Sequence, residues 1–493
     1  MTARRVCPLV LAEIAPEDAM RIDRNFVNND FLTSDGEELI AVLNPATGQQ
    51  IAHVTAATAA EARAGVEAAA HAQRGWRRLT SVERAGHLRA LADMLVARKD
   101  RIGAVLALES GKSLEDATGE VFYAAELTRY HAEWARRIEG EIIPSDSPDE
   151  NLLLQREPIG VVAALIPFNY PIYTLMRKIA PALIAGNTVV ARPSNNTPSS
   201  ALEVARAVKD CGFPAGAINI IAMTHQVAQT VCTHPRVGMI TLTGSVGAGR
   251  KVLEYSQVNI AKSSLELGGK TPAIIEADAD LEKAAAAVVA SRTTHCGQLC
   301  TAIERVYVQD SVHDQFVDLL RGHMAARKFG DRMREPSVMG PLINQNSRVN
   351  IHQMVSRAID DGAQLECGGF IPDGPGWFYP PTLLTNCRQE MEIVQEEVFG
   401  PVLPVLRYQT TEDALAMAND HQFGLSSVIY TENYRKAMMV ANNIEAGEVY
   451  INRTPADPYQ GYHSGWKRSG LGGDDGKHGM LDFTQTRLVI QSW

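Results

Sequence analysis

The chain has 493 residues, of which 45% are hydrophobic, and 47 Lys and Arg against 57 Asp and Glu give a net charge of −10. This length suggests about three structural units with an ample core, and an acidic balance without a dense basic block argues against nucleic acid or an anionic membrane as a partner. The most apolar stretch, residues 170–191, carries Arg177 and Lys178, so no run reaches membrane-spanning length. We therefore expect small molecules and copies of the chain itself as partners.

The seven cysteines form an odd, scattered set without a Cys-x-x-Cys pair. This pattern is unlike a disulfide framework or a structural zinc site and fits a reducing compartment, so we expect a cytoplasmic protein without a bound metal. The apolar stretch behind Arg4 and Arg5 contains Pro8 and ends at Glu13, which makes it a poor secretory signal.

Residues 1 to about 21 show no clear pattern and predict a loosely held extension, with ordered structure from near Asn25. An Ala-rich region follows, with apolar residues three and four positions apart. This spacing predicts amphipathic helices over Ala60–Trp76, Ser81–Asp100 and Leu114–Ile138. A helical layer of this kind needs a sheet to cover its apolar faces.

The pattern changes at two short apolar runs, Glu141–Ile143 and Leu152–Leu154, which flank a polar turn over residues 145–150. Two such runs around a turn predict a hairpin that interrupts the first domain.

From residue 159, short β-branched runs alternate with helical stretches, which predicts βαβ crossovers and a mostly parallel sheet. The predicted strands cover residues 160–166, 188–191, 217–221, 239–243 and 272–275. A second series predicts a second α/β domain, with strands over 305–308, 402–407, 426–430 and 448–451 and helices over 313–327, 347–361 and 435–443.

One candidate cofactor contact follows the strand at residues 239–243. The strand runs into Gly244 and Ser245 and then a helical pattern, so free amides at a helix N-terminus could hold a pyrophosphate. Val252 stands where the third glycine of a G-x-G-x-x-G fingerprint should follow Gly247 and Gly249. A plain strand-to-helix turn is therefore an equal alternative.

A second candidate is the turn from Arg192 to Asn195, where an arginine at the carboxyl edge of the sheet could reach ribose or phosphate. The alternative is a capped helix start, because Asn196 or Thr197 before Pro198 would cap a helix.

Cys300 and Glu266 are the strongest chemical candidates. A covalent, thioester-forming reaction needs a thiol that attacks a carbonyl carbon and a separate carboxylate that later activates water. Each has a structural alternative, since cysteine is usually a small buried hydrophobe and an isolated Glu is commonly a surface carboxylate. Asn169, in a proline-rich turn, could simply hydrogen-bond backbone. Their joint occurrence in one order favours chemistry.

At these residues the chain resembles the aldehyde dehydrogenase superfamily, over residues 25–493. The motifs that carry the resemblance stand in family order at residues 167–171, 265–270, 297–300, 380–384 and 396–401. Within the superfamily the chain is most similar to bacterial lactaldehyde and glycolaldehyde dehydrogenases, at residues 389–392, 450–453, 461–466 and 477–479.

The resemblance implies an α/β fold, the aldehyde dehydrogenase fold, with two doubly wound parallel-sheet domains and a small β oligomerisation element. The implied units are a discontinuous cofactor-binding domain over 22–140 and 158–267, a catalytic domain over 268–478, and an oligomerisation hairpin and C-terminal strand over 141–157 and 479–493. A homotetramer or homodimer is implied as well, because the β-forming chain end Leu488–Gln491 would be hard to explain on a monomer surface.

The implied activity is NAD(P)+-dependent oxidation of an aldehyde to the carboxylate. Cys300 would attack the aldehyde, and the Asn169 amide with the backbone N–H of Cys300 would hold the oxyanion. Glu266 would activate the hydrolytic water, and Lys178 would tune Glu266 or the thiol electrostatically.

For the cofactor, the resemblance places Ser245 by the pyrophosphate, Glu397 on the nicotinamide ribose, Phe399 beside it and Arg192 near the adenine ribose. The remaining residues expected around the cofactor are Ile166, Pro167, Ser194, Asn195, Gly244, Leu267 and Gly268.

The chain departs from the family pattern at three places. Many relatives that prefer NAD have Lys at position 192 and Glu at position 195, whereas this chain has Arg192 and Asn195. A neutral amide beside a fixed cation should accept a 2′-phosphate, which predicts NADP+ or dual use.

The loop 222–228 lacks glycines that relatives often have there, which puts contacts to the adenine in doubt. His295 stands where Asn is usual, and Cys296 precedes the nucleophile by four residues; ordinary packing is favoured over a reversible disulfide.

Arg177 and His463 match positions that approach the polar substituents of a short hydroxyaldehyde in the lactaldehyde-type enzymes, and both can donate to hydroxyl oxygens. Tyr170 and Asp457 complete the expected substrate residues, with Asp457 standing where relatives carry Glu. Without the resemblance, a surface salt bridge for Arg177 and a structural role for His463 would be preferred. A larger sugar-derived hydroxyaldehyde, such as an anhydro-sugar, stays open as the substrate.

Two other functions were weighed against hydrolytic oxidation. A CoA-acylating relative would use the same thiol, but Glu266 argues against it, because such enzymes typically lack the hydrolytic base. A non-catalytic binding protein on the same fold is disfavoured by Asn169, Glu266 and Cys300 together.

Overall fold

The computed structural model describes residues 21–493, with the backbone alone for Arg21 and Ile22. The extension expected for residues 1 to about 21 lies outside the described residues. Two large sheets organise the fold, together with two three-stranded sheets, one near the N-terminus and one that contains the C-terminal strand, and a two-stranded pairing. Over residues 21–493, no helix combines the length and apolarity that a membrane crossing requires.

The first sheet has eight strands, and its central strands are parallel. In spatial order the strands are Gly470–Leu471, Lys262–Glu266, Val237–Thr243, Val161–Leu165, Thr188–Arg192, Ile218–Ile220, Asn25–Val27 and Asp30–Leu32. After the central strand Val161–Leu165, the chain adds Thr188–Arg192 and then Ile218–Ile220 on one side of it. It then crosses back and adds Val237–Thr243 and Lys262–Glu266 on the other side. The strand order therefore reverses between Val161–Leu165 and Val237–Thr243, and such a switch point opens a crevice at the carboxyl ends of the strands.

Helices cover both faces of the first sheet, because successive strand side chains point to opposite faces. Val162 and Ala164 pack into one apolar cluster, and Val161 and Ala163 into another. The first cluster is covered mainly by Ser81–Ala97, Lys99–Ser110, Leu114–Ala132, Pro171–Ile184 and Pro198–Asp210, and the second by Ala59–Trp76, His225–Cys232 and Val246–Asn259.

The second sheet has seven strands, parallel except at one edge. Their order is Gln364–Cys367, Thr382–Thr385, Val402–Tyr408, Ile303–Gln309, Thr271–Ile275, Ser426–Tyr430 and Glu448–Ile451. Apolar clusters again form on both faces. The accompanying helices are Leu281–Thr293, His313–Ala326, Gln345–Asp360, Glu392–Gln395, Thr411–Asn419 and Tyr434–Asn443.

The small three-stranded sheet confirms the predicted hairpin. Glu141–Ile143 pairs antiparallel with Glu150–Pro158, and the C-terminal strand Thr484–Ser492 pairs antiparallel with the other side of Glu150–Pro158. A further helix, Gly476–Asp482, leads into that strand.

Most predicted strands and helices are confirmed to within a few residues, and the domain boundaries stay a prediction. The helix Lys99–Ser110 was not predicted, and the helix predicted over Ser81–Asp100 is confirmed with an earlier end. It ends at Ala97, and Arg98, with φ −104° and ψ 6°, separates it from the helix Lys99–Ser110. Residues 102–107 of that helix are all buried, so the amphipathic period that reveals a helix is missing there.

The N-terminal sheet was not predicted from the sequence. It joins Arg21–Asp23, Gln50–Thr55 and Leu39–Leu43. A short pairing of Phe423–Gly424 with Trp466–Lys467 was not predicted either.

Candidate active site

Cys300 lies in the connection between the helix Leu281–Thr293 and the strand Ile303–Gln309. Before it, three consecutive residues have positive φ: His295 at 46°, Cys296 at 56° and Gly297 at 74°. Only the last is glycine, and a Cβ at Gly297 would collide with the carbonyl of Gly400. This left-handed turn directs the chain into the Cys300 loop.

The side-chain amide of Gln298 anchors the loop through both its nitrogen and its oxygen. Its Nε2 donates to the carbonyl of His295 at 2.9 Å, and its Oε1 accepts from the backbone N–H of Ile343 at 2.9 Å. The Gln298 carbonyl in turn accepts from Asn169 Nδ2 at 3.0 Å. Asn169 is therefore held beside the Cys300 loop, and its second amide hydrogen is not used by this bond.

Glu266 is the last residue of the strand Lys262–Glu266 and is 2% exposed. Neither carboxylate oxygen has a hydrogen-bond partner among the described residues. Burial raises the pKa of Glu266 to about 8, although the positive charges of His463 and Lys178 oppose the shift. Lys178 itself is fully buried and donates to Asp474 at 2.6 Å. The positive charge of Lys178 acts to lower the pKa of Glu266, and its role in the reaction stays a prediction.

His463 lies between the two catalytic candidates. Its Nε2 is 3.3 Å from Glu266 Oε2, and its side chain lines the same cavity as Cys300. Its Nδ1 is 2.8 Å from Oε1 of Glu448, a residue that the sequence did not single out. Burial acts to lower the pKa of His463, but the carboxylates of Asp457, Glu266 and Glu448 hold it well above its ordinary value.

Burial raises the pKa of the Cys300 thiol, and the hydrogen bond from His463 lowers it. Cys300 is half-buried as a residue and lines a cavity of about 630 Å³. All of the expected substrate residues line the same cavity, together with Asn169: Tyr170, Arg177, Asp457 and His463.

Arg177 is 6% exposed, so the alternative of a surface salt bridge is wrong. Its guanidinium donates to Asp475 Oδ2 at 2.7 Å and to Asp457 Oδ2 at 3.0 Å. Burial acts to raise the pKa of Asp457, but His463 and Arg177 lower it to about 2. The pocket wall therefore combines a fixed cation with ionised carboxylates.

The residues expected to bind the cofactor follow the carboxyl ends of four neighbouring parallel strands of the first sheet. At the switch point, the strand Val161–Leu165 is followed by Ile166 and Pro167, and the strand Val237–Thr243 is followed by Gly244 and Ser245. On one side of this pair, the strand Thr188–Arg192 leads to Ser194 and Asn195. On the other side, the strand Lys262–Glu266 leads to Leu267 and Gly268. This is where a dinucleotide crevice is expected in a doubly wound sheet. The residues present therefore fit such a cofactor.

Ser245 is the N-cap of the helix Val246–Asn259, and its hydroxyl accepts from the backbone N–H of Ala248 at 3.2 Å. The helix N-terminus thus faces the crevice with further free amides. Glu397 lies across the crevice, where its Oε1 accepts from the backbone N–H of Gly269 at 3.0 Å. A Cβ at Gly268 would collide with the Glu397 carboxylate.

Phe399 has a φ of 52° and packs edge-on against Phe168, with the ring centroids 5.9 Å apart. Its backbone N–H donates to Glu304 at 2.8 Å. Glu304 also pairs with Arg292 at 3.0 Å, and Arg292 donates to the Gly297 carbonyl. One buried ion pair therefore ties the Phe399 segment to the Cys300 loop.

Arg192 and Asn195 are in direct contact. Arg192 donates to Asn195 Oδ1 at 3.0 Å and to the Met223 carbonyl at 3.1 Å, so the glycine-poor loop 222–228 lies against it. A helix does begin at Pro198, and Thr197 is its N-cap residue. The Thr197 hydroxyl makes no hydrogen bond to the first turn, so the side-chain cap of the alternative interpretation is not present.

Cys296 is fully buried within an apolar cluster, and all six cysteines within residues 21–493 are free. His295 is also buried, with its ring edge-on to Tyr170 at 6.1 Å. Both observations agree with the packing interpretation.

Comparison with known proteins decides the family. The model of the aldehyde dehydrogenase family matches residues 31–489. The chain belongs to the aldehyde dehydrogenase family. Lactaldehyde dehydrogenase of Escherichia coli (strain K12) is 45% identical over 466 residues, which are 94% of this chain and 97% of that protein.

Solved structures of family members agree. A structure of lactaldehyde dehydrogenase has a TM-score of 0.95 at 43% identity, with 96% of this chain and 100% of that one covered. A structure of 3,6-anhydro-L-galactose dehydrogenase in complex with NAP has a TM-score of 0.93 at 36% identity, with 95% and 100% covered. These findings confirm the family and the α/β fold that the motifs indicated.

Proposed function

We propose that the protein oxidises a short hydroxyaldehyde, such as lactaldehyde or glycolaldehyde, to its carboxylate with NAD(P)+. The observation that carries the proposal is the convergence of Arg177 and His463 on the cavity that holds Cys300. Both side chains can donate hydrogen bonds to a hydroxyl group next to the carbonyl. The relative named lactaldehyde dehydrogenase supports the same substrate class.

In the first half of the reaction the Cys300 thiolate adds to the aldehyde carbon and forms a thiohemiacetal. The developing oxyanion is held by the Asn169 side-chain amide and the backbone N–H of Cys300. Losing one such donor typically costs on the order of a hundredfold or more in rate. The bond from Asn169 to Gln298 keeps that amide next to the sulfur.

The cofactor, when bound, accepts the hydride, and the sulfur is left carrying a thioester. Glu266 then takes a proton from a water molecule that attacks the thioester carbon, which releases the thiolate and the carboxylic acid, and the acid loses its proton to solvent. A pKa of about 8 suits Glu266 to this role, because a base whose pKa is near the working pH is both available and strong enough. Hydrolysis rather than transfer to CoA follows from this base.

The cofactor is held at the switch point of the first sheet. Ser245 and the amides behind it bind the pyrophosphate, Glu397 binds the nicotinamide ribose, and Phe399 packs beside the ring. Arg192 and Asn195 lie at the adenosine ribose, where the neutral Asn195 admits a 2′-phosphate, so NADP+ is used alone or together with NAD+.

A larger sugar-derived hydroxyaldehyde is the second candidate substrate. The cavity of about 630 Å³ is within the range of sites that hold drug-sized ligands and exceeds what a three-carbon aldehyde fills. The similar structure of 3,6-anhydro-L-galactose dehydrogenase supports this alternative.

The test is the rate of nicotinamide reduction by the purified protein, with NAD+ and NADP+ side by side. The panel contains glycolaldehyde, L-lactaldehyde, simple alkanals, succinic semialdehyde and sugar-derived hydroxyaldehydes. High kcat/KM confined to short hydroxyaldehydes supports the first candidate, and high kcat/KM confined to the sugar-derived compounds supports the second. Equal efficiency on simple alkanals contradicts roles for Arg177 and His463 in substrate choice.

A further inference from the structure

We propose that His463, held in place by Glu448, accepts the proton of the Cys300 thiol, so that the nucleophile is kept as a thiolate beside an imidazolium. This inference rests on the proposed role of Cys300 and deepens it. His463 thereby becomes a catalytic residue as well as a substrate contact, and Glu448 becomes its positioning residue.

The position of the His463 ring is fixed from two sides. Its backbone N–H donates to the Asp474 carbonyl at 2.9 Å, and its carbonyl accepts from the Asp474 N–H at 2.8 Å. The side chain is 3% exposed, with Nδ1 2.8 Å from Glu448 Oε1. A proton on Nδ1 therefore points at Glu448, and Nε2 is left to face Cys300 and Glu266.

Glu448 is itself held in one orientation. Its Oε2 accepts from the Ser426 hydroxyl at 2.8 Å and from the Tyr450 hydroxyl at 2.9 Å. These two bonds hold Oε2 and leave Oε1 for His463. Glu448 does not line the substrate cavity, so the pair with His463 has no evident use in substrate binding.

The electrostatic balance around His463 favours an imidazolium. The charged and titratable groups that face it are Glu266 at 3.3 Å, Glu448 at 2.8 Å, Asp457 at 3.9 Å, Arg177 and Cys300. Lys178 and Asp474 lie behind Glu266 and pair with each other. Glu448 and Asp457, joined by Glu266 when it is ionised, thus oppose one guanidinium at this ring, and carboxylates within a few ångströms stabilise its cationic form.

The proton transfer is balanced without an outside reagent. The S–H bond of Cys300 breaks, an N–H bond forms at His463 Nε2, and the electron pair left on sulfur attacks the aldehyde carbon. After the thioester forms, the imidazolium remains beside Glu266 and helps to keep it ionised for the attack of water. Hydrolysis returns the thiolate to the same imidazolium, and the two protons of the water reach solvent, one through Glu266 and one from the product carboxylic acid.

Alkylation of the free enzyme separates this role from substrate binding, because no aldehyde is present. The experiment measures the rate of Cys300 alkylation by iodoacetamide against pH, with the modified residue identified by mass spectrometry. It compares the wild type with His463→Gln, Glu448→Gln and the matched control Glu445→Gln. Glu445 is a nearby exposed carboxylate that pairs with Lys467.

We expect His463→Gln to slow alkylation at neutral pH by about tenfold or more, because the buried thiol loses the group that stabilises its thiolate. The rate at high pH, where the thiol is ionised without help, should be unchanged. Glu448→Gln should shift the profile in the same direction by a smaller amount, and Glu445→Gln should leave it in place.

Alkylation profiles that coincide for the wild type and both active-site variants, with only KM for the hydroxyaldehyde raised, overturn the inference. If His463→Gln does not fold, Glu448→Gln alone decides, since its profile either shifts or does not. If the enzyme oxidises aldehydes but the alkylation profiles of the wild type and the variants coincide, this inference is wrong and the proposed function stands. If the wild type oxidises no aldehyde of the panel, the proposed function is wrong. The alkylation profiles then still test whether His463 ionises the Cys300 thiol.

Discussion

At the scale of single residues, the proposed use of NADP+ depends on Asn195, which would set the charge that a 2′-phosphate meets. Its side-chain oxygen accepts from Arg192, so the amide and the guanidinium occupy one site at the strand end. A carboxylate at this position would form an ion pair with Arg192 and repel a phosphate.

We expect Asn195→Glu to lower kcat/KM for NADP+ by roughly tenfold or more, or about 1.4 kcal/mol, and to leave that for NAD+ nearly unchanged. Asn195→Gln is the matched control, because it has the same length as Glu without the charge. Steady-state kinetics with both cofactors checks the prediction, and an equal loss for both variants would contradict it.

Asp475 occupies a backbone conformation that normally belongs to glycine. Its φ is 63° and its ψ is 177°, and such a conformation costs an L-residue on the order of 1–3 kcal/mol. The side chain is 1% exposed, accepts from Arg177 at 2.7 Å and lies 3.9 Å from His131. We infer that the strain persists because the carboxylate positions Arg177 in the substrate pocket.

Two substitutions at Asp475 separate strain from charge. Asp475→Ala and Asp475→Gly both remove the carboxylate, but only glycine relieves the backbone, so the glycine variant should be the more stable by about 1–3 kcal/mol. Both should lose efficiency on hydroxyaldehydes to the same extent. Thermal unfolding measures the difference in stability, and kcat/KM measures the loss of efficiency. Equal melting temperatures for the two variants would contradict backbone strain at Asp475.

At the scale of elements, the start of the helix Pro171–Ile184 is built around a buried ion pair. Glu120 Oε1 accepts from the backbone N–H of Ile172 at 2.9 Å and of Tyr173 at 3.2 Å, which satisfies two amides of the first turn. Its other oxygen pairs with Lys112, whose ammonium lies 3.6 Å from the centre of the Tyr170 ring. The pair therefore sets where the chain enters the helix, directly after Asn169.

Removing one partner of this pair should be costly. We expect Glu120→Ala to destabilise the protein by roughly 3–5 kcal/mol, because Lys112 is left as an uncompensated buried charge. The double variant Glu120→Ala with Lys112→Met should recover much of that loss. Thermal unfolding of the two variants checks this, and a double variant less stable than Glu120→Ala would contradict it.

At the scale of the whole molecule, the three-stranded sheet leaves apolar side chains uncovered. Leu488 is 51% exposed, Ile490 58% and Ile142 78%. The register places Leu488 opposite Leu154 and Ile490 opposite Leu152, so these four side chains form one apolar strip on one face, whereas Ile142 pairs with Leu153 on the other face. Such a strip on a sheet is typical of a protein–protein interface.

We expect the protein to have the mass of a dimer or tetramer in solution, and Ile490→Lys to shift it toward smaller species, because a charge would be buried in the contact. Gln491→Lys is the control, since the next residue of a strand points to the opposite face. Sedimentation or light scattering measures the masses, and a monomeric wild type would contradict the prediction.

The sequence by itself determined the family, the alternation of strands and helices, and the residues Cys300, Glu266 and Asn169. Local patterns carry this information, because hydrophobic period follows secondary structure and the motifs keep the order of the chemistry. The uniformly buried residues 102–107 show no amphipathic period, so the helix Lys99–Ser110 that contains them went unpredicted.

Only the tertiary structure decided which charges meet in the site. Glu448, Asp474 and Asp475 belong to no motif that we recognised, yet they reach His463, Lys178 and Arg177 across the fold. Folding brings together groups that are far apart in the chain, and burial makes their charges strong enough to shift one another. The protonation states in the active site are therefore a property of packing, which sequence patterns do not describe.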